Sequence, residues 1–266
     1  MLKSLCFHLY RATESKPHIA QRISKQDPKI CPRDDTVFTL AQDLDAFGVI
    51  TVQGTRLSGK TTLALLLRNF LGRTRKVVFI SGWKSDGDDM KAKEFLVKKC
   101  HENGYNNIEG PGGLPCDTNS DLVFIIDDAQ EIQKDDDLWV RLIETRYRQD
   151  SGPHFCLFGT SGYLNTLFSI CDPHNGLIAH RQQRVGLTAQ SIAGASKVSL
   201  FYKKHEFQDA VSKIFGNDAY SVVSERDWDF VYSFTNGHPG MVAATVAYLC
   251  LRITSTHHSI NPKKTF

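Results

Sequence analysis

The sequence lacks the features that mark several large classes of protein. None of its 7 cysteines belongs to a C-x-x-C pair, so neither a zinc site nor a disulfide framework is expected, and the thiols are predicted to be reduced. No apolar run approaches the roughly 20 residues that span a bilayer, and the N-terminal stretch has no signal-peptide core. We therefore expect a soluble protein of a reducing, intracellular compartment, without a membrane partner.

An excess of charge of one sign is also missing. Lys and Arg total 32 against 29 Asp and Glu, and the basic residues form no dense block. Nucleic-acid binding therefore has no support in the sequence. Apolar residues make up 41% of the 266 residues, an ordinary share for a globular chain that has room for one α/β domain and a smaller second domain.

One stretch carries a complete phosphate-binding motif. The residues Gly54-Thr55-Arg56-Leu57-Ser58-Gly59-Lys60-Thr61 match G-x-x-x-x-G-K-[ST], and Thr62 continues into a predicted helix. A buried strand is predicted before the loop, over 47–53. We expect the glycines at both ends to adopt positive φ, so that backbone N–H groups and the helix N-terminus face the phosphates. Lys60 is expected to contact the β- and γ-phosphates and Thr61 to hold Mg²⁺, which predicts a nucleoside triphosphate and Mg²⁺ as cofactors.

A second landmark is an apolar run over 122–126 that ends in two carboxylates, as a Walker B strand does. Because parallel strands bring their carboxyl ends to one edge of the sheet, we expect the pair beside the phosphate loop. Asp127 is predicted to hold Mg²⁺, and Asp128 to orient or deprotonate the attacking water, with Glu131 as a weaker alternative base. Many ATPases of this kind have Glu where this chain has Asp128.

Three further groups of polar residues are candidates for the same site or for its surroundings. After a predicted strand over 154–158, Thr160 is the first choice for a residue that contacts the γ-phosphate or the catalytic water, and Ser161 is the second. A simple Gly-Thr-Ser-Gly turn explains these residues equally well. Asp135-Asp136-Asp137 is predicted to cap a helix, with metal binding as a weaker alternative. The arginine-finger candidates are Arg141, Arg146 and Arg148, among which the sequence does not choose and which ordinary surface positions explain as well.

The succession of patterns predicts three segments. Residues 1–35 form an irregular N-terminal segment, 36–190 form a P-loop NTPase core of the α/β class, and 191–266 form a helical lid or adaptor domain. The core is predicted to hold a mainly parallel sheet flanked by helices, with a final edge strand over 183–187. Thr36 is the predicted N-cap of its first helix, and Pro239 is expected just before the start of the last helix of the chain.

Together these motifs resemble the P-loop ATPase domain of Crinkler effector proteins, which is similar to STAND and AAA+ ATPases. The resemblance covers about 36–251 and rests on R-L-S-G-K-T-T at 56–62, F-I-I-D-D-A-Q at 124–130, L-W at 138–139 and T-N-G-H-P-G at 235–240. It implies ATP binding, a nucleotide-dependent conformational switch, and a place near the nucleotide for His238 and Pro239. It also implies a secreted effector that reaches the cytoplasm or nucleus of a host.

We therefore predict a Mg²⁺-dependent ATPase that acts as a nucleotide-driven switch, with a homo-oligomer or another protein as its partner. The absence of an N-K-x-D guanine signature agrees with ATP rather than GTP. One alternative is a nucleotide-responsive interaction module with little or no turnover. Another is a P-loop phosphotransferase, because many enzyme classes share the loop.

Overall fold

The computed structural model describes residues 30–83, 90–106, 121–129, 132, 152–160, 183–189, 196–216 and 223–259. The chain divides into two compact units, one of Pro32–Phe201 and one of Tyr202–Phe266 together with Met1–Cys31. We call them the α/β unit and the helical unit. Several sequence candidates lie outside the described residues, namely Glu131, the triple Asp135-Asp136-Asp137, Arg141, Arg146, Arg148 and Ser161.

The α/β unit is built on a five-stranded sheet in which every strand pair is parallel. The strands are β1 (Val49–Gly54), β2 (Lys76–Ser81), β3 (Leu122–Asp127), β4 (His154–Thr160) and β5 (Arg184–Val185), in the spatial order β2-β3-β4-β1-β5. Among the described residues of this unit, three helices accompany them: α1 (Asp34–Phe47), α2 (Lys60–Leu71) and α3 (Ala92–Glu102). The architecture is the mainly parallel α/β class that the sequence predicts, and β5 is the expected edge strand.

Burial on both faces of the sheet explains the continuous apolar run of β3. Phe124 and Ile126 share a core with Phe95 and Leu96 of α3. Ile125, whose side chain lies on the opposite face of the strand, is equally buried. Helix α2 packs against β3 as well. A parallel sheet that is covered on both sides needs apolar residues at successive positions rather than at alternate ones.

The strand order determines which residues meet at the carboxyl edge of the sheet. β4 lies between β1 and β3, and its last residue, Thr160, is in register with Gly54. Asp127 ends β3 in register with Ser81 of β2. The phosphate loop at 54–61 and the carboxylates Asp127 and Asp128 therefore leave the sheet at the same edge, with the end of β4 between them.

The start of α1 differs from the sequence prediction. The helix begins at Asp34, with Arg33 as its N-cap at φ 52°, and Thr36 is buried in the first turn. The prediction of Thr36 as the N-cap is therefore wrong. The acidic pair Asp34 and Asp35 occupies the first turn instead, where negative charge complements the helix dipole.

The α/β unit continues beyond β5. The boundary predicted between 190 and 191 falls outside the described residues, and the residues 196–201 belong to the α/β unit. Ser199 forms a parallel bridge with Gly186, and the N–H of Leu200 donates to the Gly186 carbonyl (3.0 Å). This short stretch therefore extends the sheet side of the unit.

The helical unit contains α4 (Lys204–Phe215), α5 (Glu225–Thr235) and α6 (Pro239–Ser259). Their shared core includes Phe207, Val211, Trp228, Val231, Val242 and Val246. Asn236 and Gly237 carry the chain from α5 to α6 with positive φ, and a Cβ atom on Gly237 would overlap the Tyr202 carbonyl oxygen. In the described part of the chain, no helix is long and apolar enough to span a membrane.

Candidate nucleotide-binding site

The phosphate loop connects β1 directly to α2. Gly59 has φ 86°, as expected, and is the N-cap of α2. Gly54 does not have positive φ, so the prediction for the first glycine is wrong. Gly54 is the last residue of β1 and pairs with Thr160, so it keeps strand backbone. The second left-handed residue of the loop is Leu57, at φ 61°.

Close packing explains why the first loop position is glycine. A Cβ atom built on Gly54 would overlap Leu200 Cδ1 and Ser58 Oγ. Leu200 and Ser58 are both fully buried, so neither side chain has free space to move into. Leu200 could not be predicted from the sequence, because no motif marks a leucine that lies far from the loop in the chain.

Side chains of the loop hold its carbonyl oxygens. Ser58 Oγ donates to the Thr55 carbonyl (2.8 Å). Lys60 Nζ donates to the carbonyls of Thr55 (2.7 Å) and Gly54 (3.2 Å). These bonds give the loop a defined shape through contacts within the loop itself.

Opposite charges surround the Lys60 ammonium. Burial lowers the pKa of Lys60 below its usual value. The carboxylates of Asp127 and Asp128 offset only part of this lowering. Asp127, which ends β3, and Asp128, which follows it, are thus close enough to interact with the lysine of the loop. This brings the two sequence landmarks together at one place.

Asp127 is a buried carboxylate with an unfilled position. The residue is 4% exposed. Its Oδ1 atom has no hydrogen-bond partner among the described residues. Burial raises the pKa of Asp127 above its usual value and outweighs the Thr61 side chain and the charge of Lys60, which favour the charged form. A buried carboxylate oxygen without a partner is costly, and a cation would satisfy it.

The donor set suits Mg²⁺ better than a metal held entirely by protein. The described residues contain no cluster of three or more His, Cys, Asp or Glu side chains. Mg²⁺ commonly takes only one or two carboxylates and fills its other positions with water and phosphate oxygens. Thr61 and Asp127 match that pattern.

Asp128 differs from Asp127 in both backbone and exposure. It has φ 54° and is exposed at the edge of the sheet. Aspartate and asparagine tolerate this left-handed conformation better than most residues with a side chain. The backbone therefore offers a physical reason for Asp rather than the longer Glu at this position.

The remaining candidates occupy two different units. Thr160 is partly buried at the end of β4, beside Gly54. In the helical unit, His238 caps α6: its N–H donates to the Thr235 carbonyl (2.9 Å), and its Nδ1 accepts from the Met241 N–H (3.2 Å). Pro239 is the first residue of that helix. The placement of His238 and Pro239 near a nucleotide stays a prediction.

Comparison with known proteins gives a result only at the level of structure. The sequence matches no protein-family model, and no curated protein matches it. The structure is similar to the Walker-type ATPase PABY2304 of Pyrococcus abyssi, with a TM-score of 0.53 and 15% identity, over 86% of this chain and 70% of that chain. The chain has the P-loop NTPase fold. This confirms the fold class predicted from the sequence.

A second similar structure is the RuvB Holliday junction branch migration motor of Thermotoga maritima. The TM-score is 0.42 at 14% identity, over 85% of this chain and 64% of that chain. The present chain therefore covers less than two thirds of the RuvB chain.

Proposed function

We propose that this P-loop NTPase binds Mg²⁺–ATP at 54–62, hydrolyses it, and acts as a nucleotide-driven switch. The observation that carries the proposal is the buried Asp127 carboxylate, whose Oδ1 atom has no hydrogen-bond partner among the described residues and whose pKa is influenced by the Thr61 side chain. The negative charge of Asp127 acts on Lys60 and raises the pKa of its ammonium group. A metal-holding pair and a phosphate-binding lysine are thus combined at one sheet edge.

Each residue has a defined role in this proposal. Lys60 exchanges the carbonyls of Gly54 and Thr55 for phosphate oxygens, and backbone N–H groups of the loop bind the same oxygens. Thr61 and Asp127 would hold Mg²⁺, which neutralises charge on the transferred phosphoryl group when bound. Asp128 orients the attacking water and accepts its proton. Thr160, which ends β4 beside Gly54, would contact the γ-phosphate or that water.

Equilibrium titration tests the binding step. Wild-type protein should bind ATP tightly with Mg²⁺, and Lys60→Ala should weaken binding by about a hundredfold, because a charge-assisted contact is lost. Lys76→Ala is the matched control, since this exposed lysine begins β2 at the opposite edge of the sheet. Equal affinity of the wild type and Lys60→Ala would rule out the assigned site.

The second candidate function is a nucleotide-responsive interaction module with little or no turnover. The short side chain of Asp128 favours it, because aspartate is one methylene shorter than the usual glutamate and reaches less far toward a water molecule. Phosphate release in a single turnover separates the two functions. A burst that is lost in Asp128→Asn supports the ATPase, whereas tight binding without any burst supports the module.

We propose further that the switch is of the Crinkler-effector type and prefers ATP to GTP. The motifs at 56–62, 124–130 and 235–240 support this. Its output would be a change in association with a second copy or with another protein. Solution mass measured with and without ATP, alongside competition by GTP, tests both statements. A mass that is unchanged by ATP and equal affinity for the two nucleotides would contradict them.

A further inference from the structure

We infer that Arg33 and Leu200 are positioning residues of the phosphate loop. Arg33 holds the backbone at 199–201, which seats the Leu200 side chain against Gly54 and so sets where the loop begins. The inference rests on the proposed nucleotide-binding function. All of its parts belong to the α/β unit.

The first link is a buried guanidinium that binds three successive carbonyl groups. Arg33 is 5% exposed. It donates to the carbonyls of Ser199 (2.8 Å), Leu200 (3.0 Å) and Phe201 (3.4 Å). A planar guanidinium has donors in a fixed fork, which a lysine ammonium cannot reproduce. Arg33 therefore fixes the path of this backbone and does more than fill space.

The second link is the contact between Leu200 and Gly54. Leu200 is fully buried, and its Cδ1 atom occupies the position that a Cβ on Gly54 would need. The backbone at Leu200 is also anchored from the other side, by its N–H bond to the Gly186 carbonyl. Because both the N–H and the carbonyl of Leu200 are hydrogen-bonded, its side chain has a fixed position against the end of β1.

The third link leads from Gly54 to the lysine that contacts phosphate. The Gly54 carbonyl accepts a hydrogen bond from Lys60 Nζ, as does the neighbouring Thr55 carbonyl. A shift of Gly54 therefore moves the groups that hold Lys60. Misplacing a binding group by about 1 Å can cost up to a hundredfold in function even when the cause lies outside the site.

The test compares two fully buried leucines of the same unit. Leu200→Ala should weaken Mg²⁺–ATP binding by about tenfold. Leu96→Ala, in the α3 core, should lower the thermal midpoint similarly but leave affinity within about twofold of the wild type. Leu200→Met should restore most of the affinity, because it conserves side-chain volume. Arg33→Lys should weaken binding in the same direction by a smaller factor and provides a milder variant should Leu200→Ala fail to fold.

Amide hydrogen exchange in nucleotide-free protein separates failure of this inference from failure of the proposed function. Exchange at 55–58 should be faster in Leu200→Ala than in the wild type and unchanged in Leu96→Ala. That result stands even if the wild type binds no ATP. The inference is overturned if Leu200→Ala and Arg33→Lys both bind and exchange as the wild type does, or if Leu96→Ala has the same effects.

Discussion

The ends of β1 and β3 lie at one edge of the sheet, but they satisfy their polar groups in different ways. At the end of β1, side chains of Ser58 and Lys60 hold the carbonyls of Gly54 and Thr55. At the end of β3, Asp127 has a buried oxygen without a partner among the described residues. The carbonyls at the end of β1 are therefore satisfied by contacts within the loop, while the cation that we propose would satisfy the Asp127 oxygen.

The difference implies that the end of β1 serves mainly to bind phosphate and the end of β3 mainly to bind the metal. A preformed loop loses little conformational freedom on binding phosphate, which favours affinity. A buried acid that lacks a partner binds the metal at the expense of stability in the ligand-free protein. Substitutions at the end of β1 should consequently lower the unfolding free energy and the nucleotide affinity together. Substitutions at the end of β3 should change affinity and stability in opposite directions.

The largest effect is expected from Gly54→Ala. The added methyl group overlaps Leu200 and Ser58, so unfolding free energy should fall by about 1–3 kcal/mol, and Mg²⁺–ATP affinity should fall with it. Gly186→Ala is the matched control, because its Cβ meets nothing within 4 Å; its stability should change by at most about 0.5 kcal/mol. Denaturant unfolding and ATP titration measure both. Equal effects of the two variants would show that the start of the loop is not tightly packed.

Asp127→Asn should separate stability from affinity. Burial raises the pKa of Asp127, so at neutral pH its charge destabilises the ligand-free fold, and the neutral amide removes that cost. The thermal midpoint without ligand should rise by about 2–4 °C, whereas the stabilisation by Mg²⁺–ATP should be lost. A lower midpoint without ligand, with stabilisation by Mg²⁺–ATP retained, would show that the carboxylate is already satisfied and holds no metal.

The sequence predicts the chemical groups at both strand ends but not the packing around the end of β1. The motif at 54–61 and the two acids at the end of β3 could be predicted because spacing and residue type within a short stretch determine their chemistry. The role of Gly54 could not be predicted, because its neighbour Leu200 is brought to it only by folding. The N-cap of α1 was misplaced for a similar reason. The sequence does not show that the Arg33 side chain binds the distant carbonyls at 199–201.

A moderate effect of pH is expected at the loop. Burial lowers the pKa of Lys60, so the free protein loses this positive charge at a lower pH than an ordinary lysine of pKa 10.5. ATP affinity should therefore fall as pH rises through that lowered pKa, since the bound phosphates require the charged form. The contribution of Lys60 to the stability of ligand-free protein has the opposite sign and increases over the same range.

Lys60→Arg provides the control for that pH profile. A guanidinium stays charged throughout the range, so the decline of affinity at alkaline pH should disappear, even if the variant binds more weakly at neutral pH. ATP titrations at successive pH values compare the two proteins directly. Parallel profiles for the wild type and Lys60→Arg would assign the pH dependence to another group.

The smallest effect on stability is expected at Asp128, where the backbone limits which acid can occupy the position. Because φ is 54°, Asp128→Asn should keep wild-type stability, while Asp128→Glu should lose about 1 kcal/mol, since glutamate tolerates the left-handed region less well. If the acid activates water, Asn removes turnover, and Glu does not raise it despite its longer reach. Thermal unfolding and single-turnover phosphate release measure the two effects independently. A stable Asp128→Glu variant with faster turnover would show that the backbone at the end of β3 adapts to the longer acid, and that length limits the reaction in the natural chain.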